Sequence, residues 1–196
     1  MVWLEVETKV KLRGDEVADI RRRIKEIAVF NRRGKKVDDY FALLKKRYPK
    51  KAFRIRKTRD GMEITFKKHL KKYWTDVIVV KQEFEFQLTG KEQTTDLLEL
   101  FEDMGFTEWV RKIKRNETYK YKKNKKVSIE INKVKHLGYF MEIEYLCQKN
   151  EMKKAISTIT NVLKELKIDF KDVDNTGYTK MLWKNGKRGA RDFIMK

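Results

Sequence analysis

Three separate segments of this chain carry a Glu-x-Glu pair on the polar side of a two-residue alternation: Glu5 and Glu7, Glu83 and Glu85, Glu142 and Glu144. Period two is the signature of a strand, whose successive side chains point to opposite faces. In residues 2 to 13, Leu4, Val6, Val10 and Leu12 share one face and Glu5, Glu7, Lys9 and Lys11 the other. The run VIVVKQEFEFQL sets Ile78, Val80, Phe84, Phe86 and Leu88 against Lys81, Glu83 and Glu85. GYFMEIEY sets Met141 and Ile143 against Glu142 and Glu144.

The remaining elements follow the same reading. AFRIRKTRDGMEITFKK is a hairpin turning at Asp60-Gly61, with Phe53, Ile55, Met62, Ile64 and Phe66 on one side and Arg54, Arg56, Thr65 and Lys67 on the other. A strand from about 109 carries Lys112 and Lys114 on a shared face, and Val127, Ile129 and Ile131 alternate with Ser128, Glu130 and Asn132. Helices are expected where apolar residues recur at three and four. These are Val17, Ile20, Ile24 and Ile27, ending before a turn at Asn31 to Gly34; Leu97, Leu98, Phe101 and Met104, stopped by Gly105; and Met152, Ile156, Ile159, Leu163 and Leu166. A short extended piece is expected around Asp39 to Phe41, and a Gly-containing tail near Gly177, Gly186 and Gly189. No repeat or linker divides the chain, so residues 1–196 are expected to form one domain, with 150–196 as closing helix and tail.

An ordinary antiparallel sheet shows interchangeable polar residues to water, which explains any one of these strands. It does not explain the whole set. Six carboxylates face the same way as eight cations: Lys9, Lys11, Arg54, Arg56, Lys67, Lys81, Lys112 and Lys114. If the sheet closes around this face, each unpaired enclosed charge costs several kcal/mol unless water, a counterion or a ligand neutralises it. Clustered carboxylates without His or Cys suit a hard, oxygen-loving cation such as Mg²⁺ or Mn²⁺. Clustered Lys and Arg suit phosphate oxygens, which Arg can grip bidentately. A metal-bound polyphosphate meets both demands.

Composition narrows the field further. The chain has 49 Lys and Arg against 29 Asp and Glu, a net charge of +20, so a polyanionic partner is expected. Cys147 is the sole cysteine, which excludes an intramolecular disulfide and a multi-thiolate zinc site, and His69 and His136 are too few for a histidine-rich one. No apolar run is long enough for a membrane span and the charged start is unlike a signal peptide, so a soluble, cytoplasmic protein is expected. Neither Gly34-Lys35-Lys36 nor Gly186-Lys187-Arg188 has the glycine spacing of a Walker loop. The lysine runs Lys122 to Lys126 and Lys184 to Arg188 read as solvated faces or a tail.

The motifs also carry a resemblance. EVETK at 5 to 9, DDYF at 38 to 41, RIR at 54 to 56, TFK at 65 to 67, KQEFE at 81 to 85, EDMGF at 102 to 106 and NKVKHLGYFMEIE at 132 to 144 resemble, in order, the CYTH family, also called triphosphate tunnel metalloenzymes. They span about residues 3–145, and DDYF and LGYFMEIE look most like the class IV adenylyl cyclase branch. The resemblance implies an α+β fold: a closed antiparallel eight-stranded β-barrel whose tunnel binds a triphosphate, with helices packed outside. It implies metal ligation by Glu5, Glu7, Glu142 and Glu144, and phosphate binding by Lys9, Arg54, Arg56, Lys67, Lys112 and Lys114, with Glu83 and Glu85 as a further acidic pair lining the tunnel, for metal or for holding the basic residues in place. Lys11 and Lys81 join the phosphate set, and Glu5, Glu7, Lys9 and Glu144 are the expected catalytic group. Asn132 stands where the family usually has Asp, offering a neutral oxygen to a metal position. The expected activity is conversion of ATP to cyclic AMP and pyrophosphate. Hydrolysis of tripolyphosphate or thiamine triphosphate is the alternative, ahead of RNA 5′-triphosphate handling or silent nucleotide sensing.

Overall fold

The computed structural model describes residues 3–43, 47–49 and 51–186. Gly189, Lys187 and Arg188 of the expected tail lie outside the described residues. The elements run β1 (Leu4–Leu12), α1 (Val17–Ile27), β2 (Ala28–Leu43), β3 (Phe53–Lys57), β4 (Gly61–His69), β5 (Val79–Thr89), α2 (Lys91–Asp103), β6 (Phe106–Tyr121), β7 (Val127–Val134), β8 (Gly138–Cys147), α3 (Met152–Glu165) and α4 (Tyr178–Lys184). The eight strands close into a barrel in the order β1-β5-β4-β3-β2-β6-β7-β8, with β8 antiparallel to β1. Among the described residues no helix is long and apolar enough to cross a membrane.

The chain divides into two compact units. The first comprises residues 1–35, 68–83 and 114–175; the second comprises 36–67, 84–113 and 176–196. In the first, β1 pairs with β8 over nine residues and β8 with β7 over eight. The apolar alternation of β1 goes to a core in which Leu4, Val6, Val10 and Leu12 meet Ile129, Ile131, Met141 and Ile143. The stripes of α1 and α3 seal that core with Val17, Ile20, Ile24, Ala155, Ile159, Val162 and Leu163. Each such Val, Leu, Ile or Met side chain contributes about 1.5–3 kcal/mol on burial.

Beyond Glu7, β1 no longer pairs with β5, and the segment after α3 takes over that edge. Val173 bridges Val10, Asp174 N donates to Lys9 O at 2.8 Å, and Lys9 N donates to Asn175 Oδ1 at 2.9 Å. The strand edge therefore keeps its backbone groups satisfied.

In the second unit, β3 and β4 pair with Arg54 opposite Thr65, Ile55 opposite Ile64 and Arg56 opposite Glu63. Phe41, Ile55, Met62 and Ile64 form a smaller core against Leu98 of α2, with Phe53 and Phe101 packed on it. α4 packs its Trp183 ring edge-on to Trp109 at 5.6 Å and to Tyr48 at 6.1 Å.

Several expectations give way. No turn interrupts Asn31 to Gly34, because β2 runs straight through it and takes in Asp39 to Phe41 as well. Its backbone groups are held by sheet pairing, which outweighs the turn preference of an Asn-Arg-Arg-Gly stretch. The β3–β4 connection is not a two-residue Asp60-Gly61 turn: Gly61 opens β4, and Thr58 N donates to Gly61 O at 2.9 Å. β6 starts at Phe106 and is a single 16-residue strand. Phe84, Phe86 and Met104, expected on apolar stripes, are 37%, 61% and 56% exposed. Residues 178–184 are helical rather than tail, since Tyr178 and Leu182 bury one side of a short helix.

Candidate functional site

Alternation along β1, β7 and β8 turns the second face of each strand away from the helix-covered core, and much of that face is buried too, with Glu7, Glu142 and Glu144 half-buried. Glu5 is 2% exposed, Lys9 4%, Glu130 8% and Asn132 0%. The register sets carboxylates directly against each other, Glu7 opposite Glu144 and Glu130 opposite Glu142. Side chains at opposed positions lie about 5 Å apart at Cβ, and like charges there repel. At an effective dielectric near 20, each pair costs about 3 kcal/mol.

Two lysines offset this repulsion. Lys81 on β5 reaches Glu5 at 3.3 Å and also pairs with Glu7. Lys114 on β6 sits 2.9 Å from Glu130 and 3.2 Å from Glu142. Thr118 donates to Glu130 at 3.0 Å and Asn132 Nδ2 donates to Glu142 at 2.6 Å. Lys9 lies opposite Glu142 with its ammonium 5.9 Å from the Phe140 ring centroid. Burial pushes Lys9 below the usual lysine range, with Glu142 and Glu7 pulling the other way.

The second unit holds a cluster of its own. Arg56 donates to Asp38 at 2.7 Å and to Glu63 at 3.2 Å, while Arg54 pairs with Glu63 and donates to Thr65 at 2.6 Å. Lys112 contacts Asp38 at 2.8 Å and donates to the Tyr40 hydroxyl at 3.0 Å. Burial would raise the Asp38 carboxyl, but Lys112, Arg56 and Arg54 hold it well below the usual carboxylate range. Arg54, Arg56 and Lys112 outnumber Asp38 and Glu63, so the cluster is cationic and suited to an anion.

The first unit thus brings together Glu5, Glu7, Lys9, Lys81, Lys114, Asn132, Glu142 and Glu144; the second brings together Arg54, Arg56 and Lys112. Lys67 is half-buried on β4, two residues past Thr65, and Glu83 is half-buried where β5 leaves β1. Lys11 and Glu85 are exposed. Glu130, Glu63 and Asp38 are absent from the set read from the sequence. Glu130 shares the parity of Asn132 and Glu63 that of Lys67, which shows the shared face but not what the carboxylate meets there; Asp38 lies on β2, which carries no residue of that set.

For a divalent cation, the donor set is right in kind: carboxylate oxygens plus the buried Asn132 Oδ1, which has no hydrogen-bond partner among the described residues. Among the described residues no three acidic side chains are gathered around one ion position.

Comparisons with known proteins converge. The model of the CYTH domain family matches residues 4–178. A conserved hypothetical protein from Pyrococcus furiosus superposes with TM-score 0.68 at 25% identity, covering 90% of this chain and 98% of that one. PH1012 from Pyrococcus horikoshii OT3 superposes with TM-score 0.67 at 27% identity, covering 90% and 98%. HpAC1 from Hippeastrum, named for adenylyl cyclase and described by a dominant triphosphatase activity, shares the fold at TM-score 0.59 and 14% identity, covering 95% and 97%. No curated protein matches.

Proposed function

The chain belongs to the CYTH domain family, and on that premise we propose that it is a divalent-metal-dependent enzyme acting on a small molecule that carries a triphosphate. The observation that carries the reading is the ladder of opposed glutamates, Glu7 with Glu144 and Glu130 with Glu142, buried at Glu130 and half-buried at the other three, held by Lys81 and Lys114. A fold needs no such ladder: an apolar set of the same volume would be as stable or more so. A metal-bound polyphosphate uses both halves of it.

Glu5, Glu7, Glu142, Glu144 and the Asn132 carbonyl would hold the cation, Mg²⁺ or Mn²⁺. A bound cation supplies Lewis-acid charge to phosphoryl oxygens. Lys81 and Lys114, which pair with Glu5 and Glu7 and with Glu130 and Glu142, would be available to phosphate oxygens with a cation on those carboxylates. Lys9, with a proton affinity lowered by burial, stands beside them. Arg54, Arg56 and Lys112 bind phosphate as forks and point charges. Positioning and charge neutralisation are most of what phosphoryl transfer asks of a protein.

Hydrolysis is the reaction these groups favour, because the rings beside them are already used. Phe140 carries the Lys9 ammonium and Tyr40 that of Lys112, so recognition runs through phosphate rather than through a base. A water oriented by Glu144 would attack a terminal phosphoryl group. The DDYF and LGYFMEIE motifs favour cyclisation of ATP as the second reading. ATP, tripolyphosphate and thiamine triphosphate, each incubated with Mg²⁺ or Mn²⁺ and followed by phosphorus NMR, decide between them. Orthophosphate with a shortened chain supports hydrolysis, cyclic AMP with pyrophosphate supports cyclisation, and no turnover of any of the three rejects the enzyme.

A further inference from the structure

Strand alternation places Glu117 and Tyr119 on the face of β6 opposite Asn116 and Thr118, and so opposite the glutamate ladder. On that outer face they line an open groove of about 420 Å³ with Arg21 and Lys25 of α1 and Phe30 and Arg33 of β2. A volume of this order is that of small-molecule sites. Nothing in the proposed reaction uses it.

Glu117 organises the cationic wall. Arg21 donates to it through two nitrogens at 2.8 and 3.3 Å, Arg33 at 3.0 Å and the Tyr119 hydroxyl at 3.0 Å. Burial would raise the Glu117 carboxyl, but these hydrogen bonds hold it below the usual carboxylate range, so it is an anion at neutral pH. One negative charge therefore faces three positive ones, Arg21, Lys25 and Arg33, leaving an excess of two. Arg33 commits one nitrogen to Glu117 and is 72% exposed, which leaves most of its five N–H donors available. The other wall is aromatic: Phe30 stands edge-on to Tyr119 at 5.6 Å and remains 50% exposed. A solvated ion-pair cluster explains the arginines but not a concave site with a half-exposed ring beside them.

We infer that this groove binds a nucleotide unit, its base stacked on Phe30 and its phosphate held by Arg33 and Lys25. Stacking on an exposed ring tolerates any base, and the cationic wall adds affinity that falls with salt. The same chemistry could be offered by a free mononucleotide or by one residue of a single-stranded RNA.

The test is binding of AMP and of a 5′-hydroxyl oligoadenylate, neither of which carries a triphosphate, measured by calorimetry and anisotropy. Both are expected to bind, Phe30→Ala to weaken them at least about fivefold, Phe30→Tyr to retain them, and Arg33→Gln to reduce the salt dependence. Equal affinities identify the free nucleotide as the source, and a much tighter oligonucleotide identifies RNA. Wild-type affinity in Phe30→Ala, or ribose 5-phosphate binding as well as AMP, would overturn the inference. The melting temperature of each variant separates lost binding from lost fold.

Discussion

Replacing Lys114 with Met removes a cation whose ammonium contacts both Glu130 and Glu142, at 2.9 and 3.2 Å. The three side chains are only 9%, 11% and 17% exposed, so water screens the exposed repulsion poorly. Two directly opposed carboxylates about 5 Å apart repel by about 3 kcal/mol at an effective dielectric of 20, and breaking a buried ion pair on one side costs about 3–5 kcal/mol in general. For a chain of this size a loss of 3 kcal/mol lowers the melting temperature by roughly 6–12 °C. Circular dichroism melts at pH 7 should show that drop. Acidification, which lets one carboxylate take up a proton, should shrink it, and Glu142→Gln in the same chain should recover most of it. A Lys114→Met protein melting within about 2 °C of the parent would mean that the ladder is not held this way.

Gly61→Ala should be severely destabilising, because Gly61 has φ +151° and an added Cβ would lie 1.9 Å from the Leu88 carbonyl oxygen, a backbone atom that cannot step aside; urea unfolding should lose more than about 2 kcal/mol. Glu108 is buried beside Asp39, and burial together with that neighbour's charge pushes its carboxyl up to about 8 despite Arg111 at 3.9 Å. A raised carboxyl contributes stability that is fully present below its unfolded value of 4.5 and is lost as pH rises through 8. Glu108→Gln should therefore gain stability over the parent at pH 8.5 relative to pH 5, and an equal difference at both would refute the assignment. Asn132→Asp replaces a 2.6 Å donor to Glu142 with a second anion, so it should lower the metal-free melting temperature and, if the ladder holds a cation, raise Mn²⁺ affinity about tenfold.

The elements that the sequence disclosed best are those whose apolar period is clean and whose partner surface is large: β1, α1 and α3 bury the residues that the spacing selects. β2 was opaque because seven consecutive residues from Val29 to Lys35 are exposed, and an exposed strand with Asn, Arg and Gly has the composition of a turn. α4 was opaque because seven residues with two buried positions carry too little period to read. The alternation that places Glu5, Glu7, Glu142 and Glu144 together was legible residue by residue. Glu130, Glu63 and Asp38 were not, since nothing in a sequence separates a carboxylate facing water from one facing Lys114, Arg54 or Lys112. Lys11 shows the converse: it shares the parity of Lys9 but lies exposed near the strand end.

The central claim is that the opposed glutamates of β1 and β8 hold a divalent cation together with a triphosphate. Mn²⁺ titration followed by electron paramagnetic resonance, with and without tripolyphosphate, tests it on the parent protein and on Glu5→Gln and Glu144→Gln. Bound Mn²⁺ should tighten at least tenfold when tripolyphosphate is present and should be lost in both variants while their melts stay cooperative. Parent-like Mn²⁺ binding in either variant, or no binding in the parent, contradicts the account.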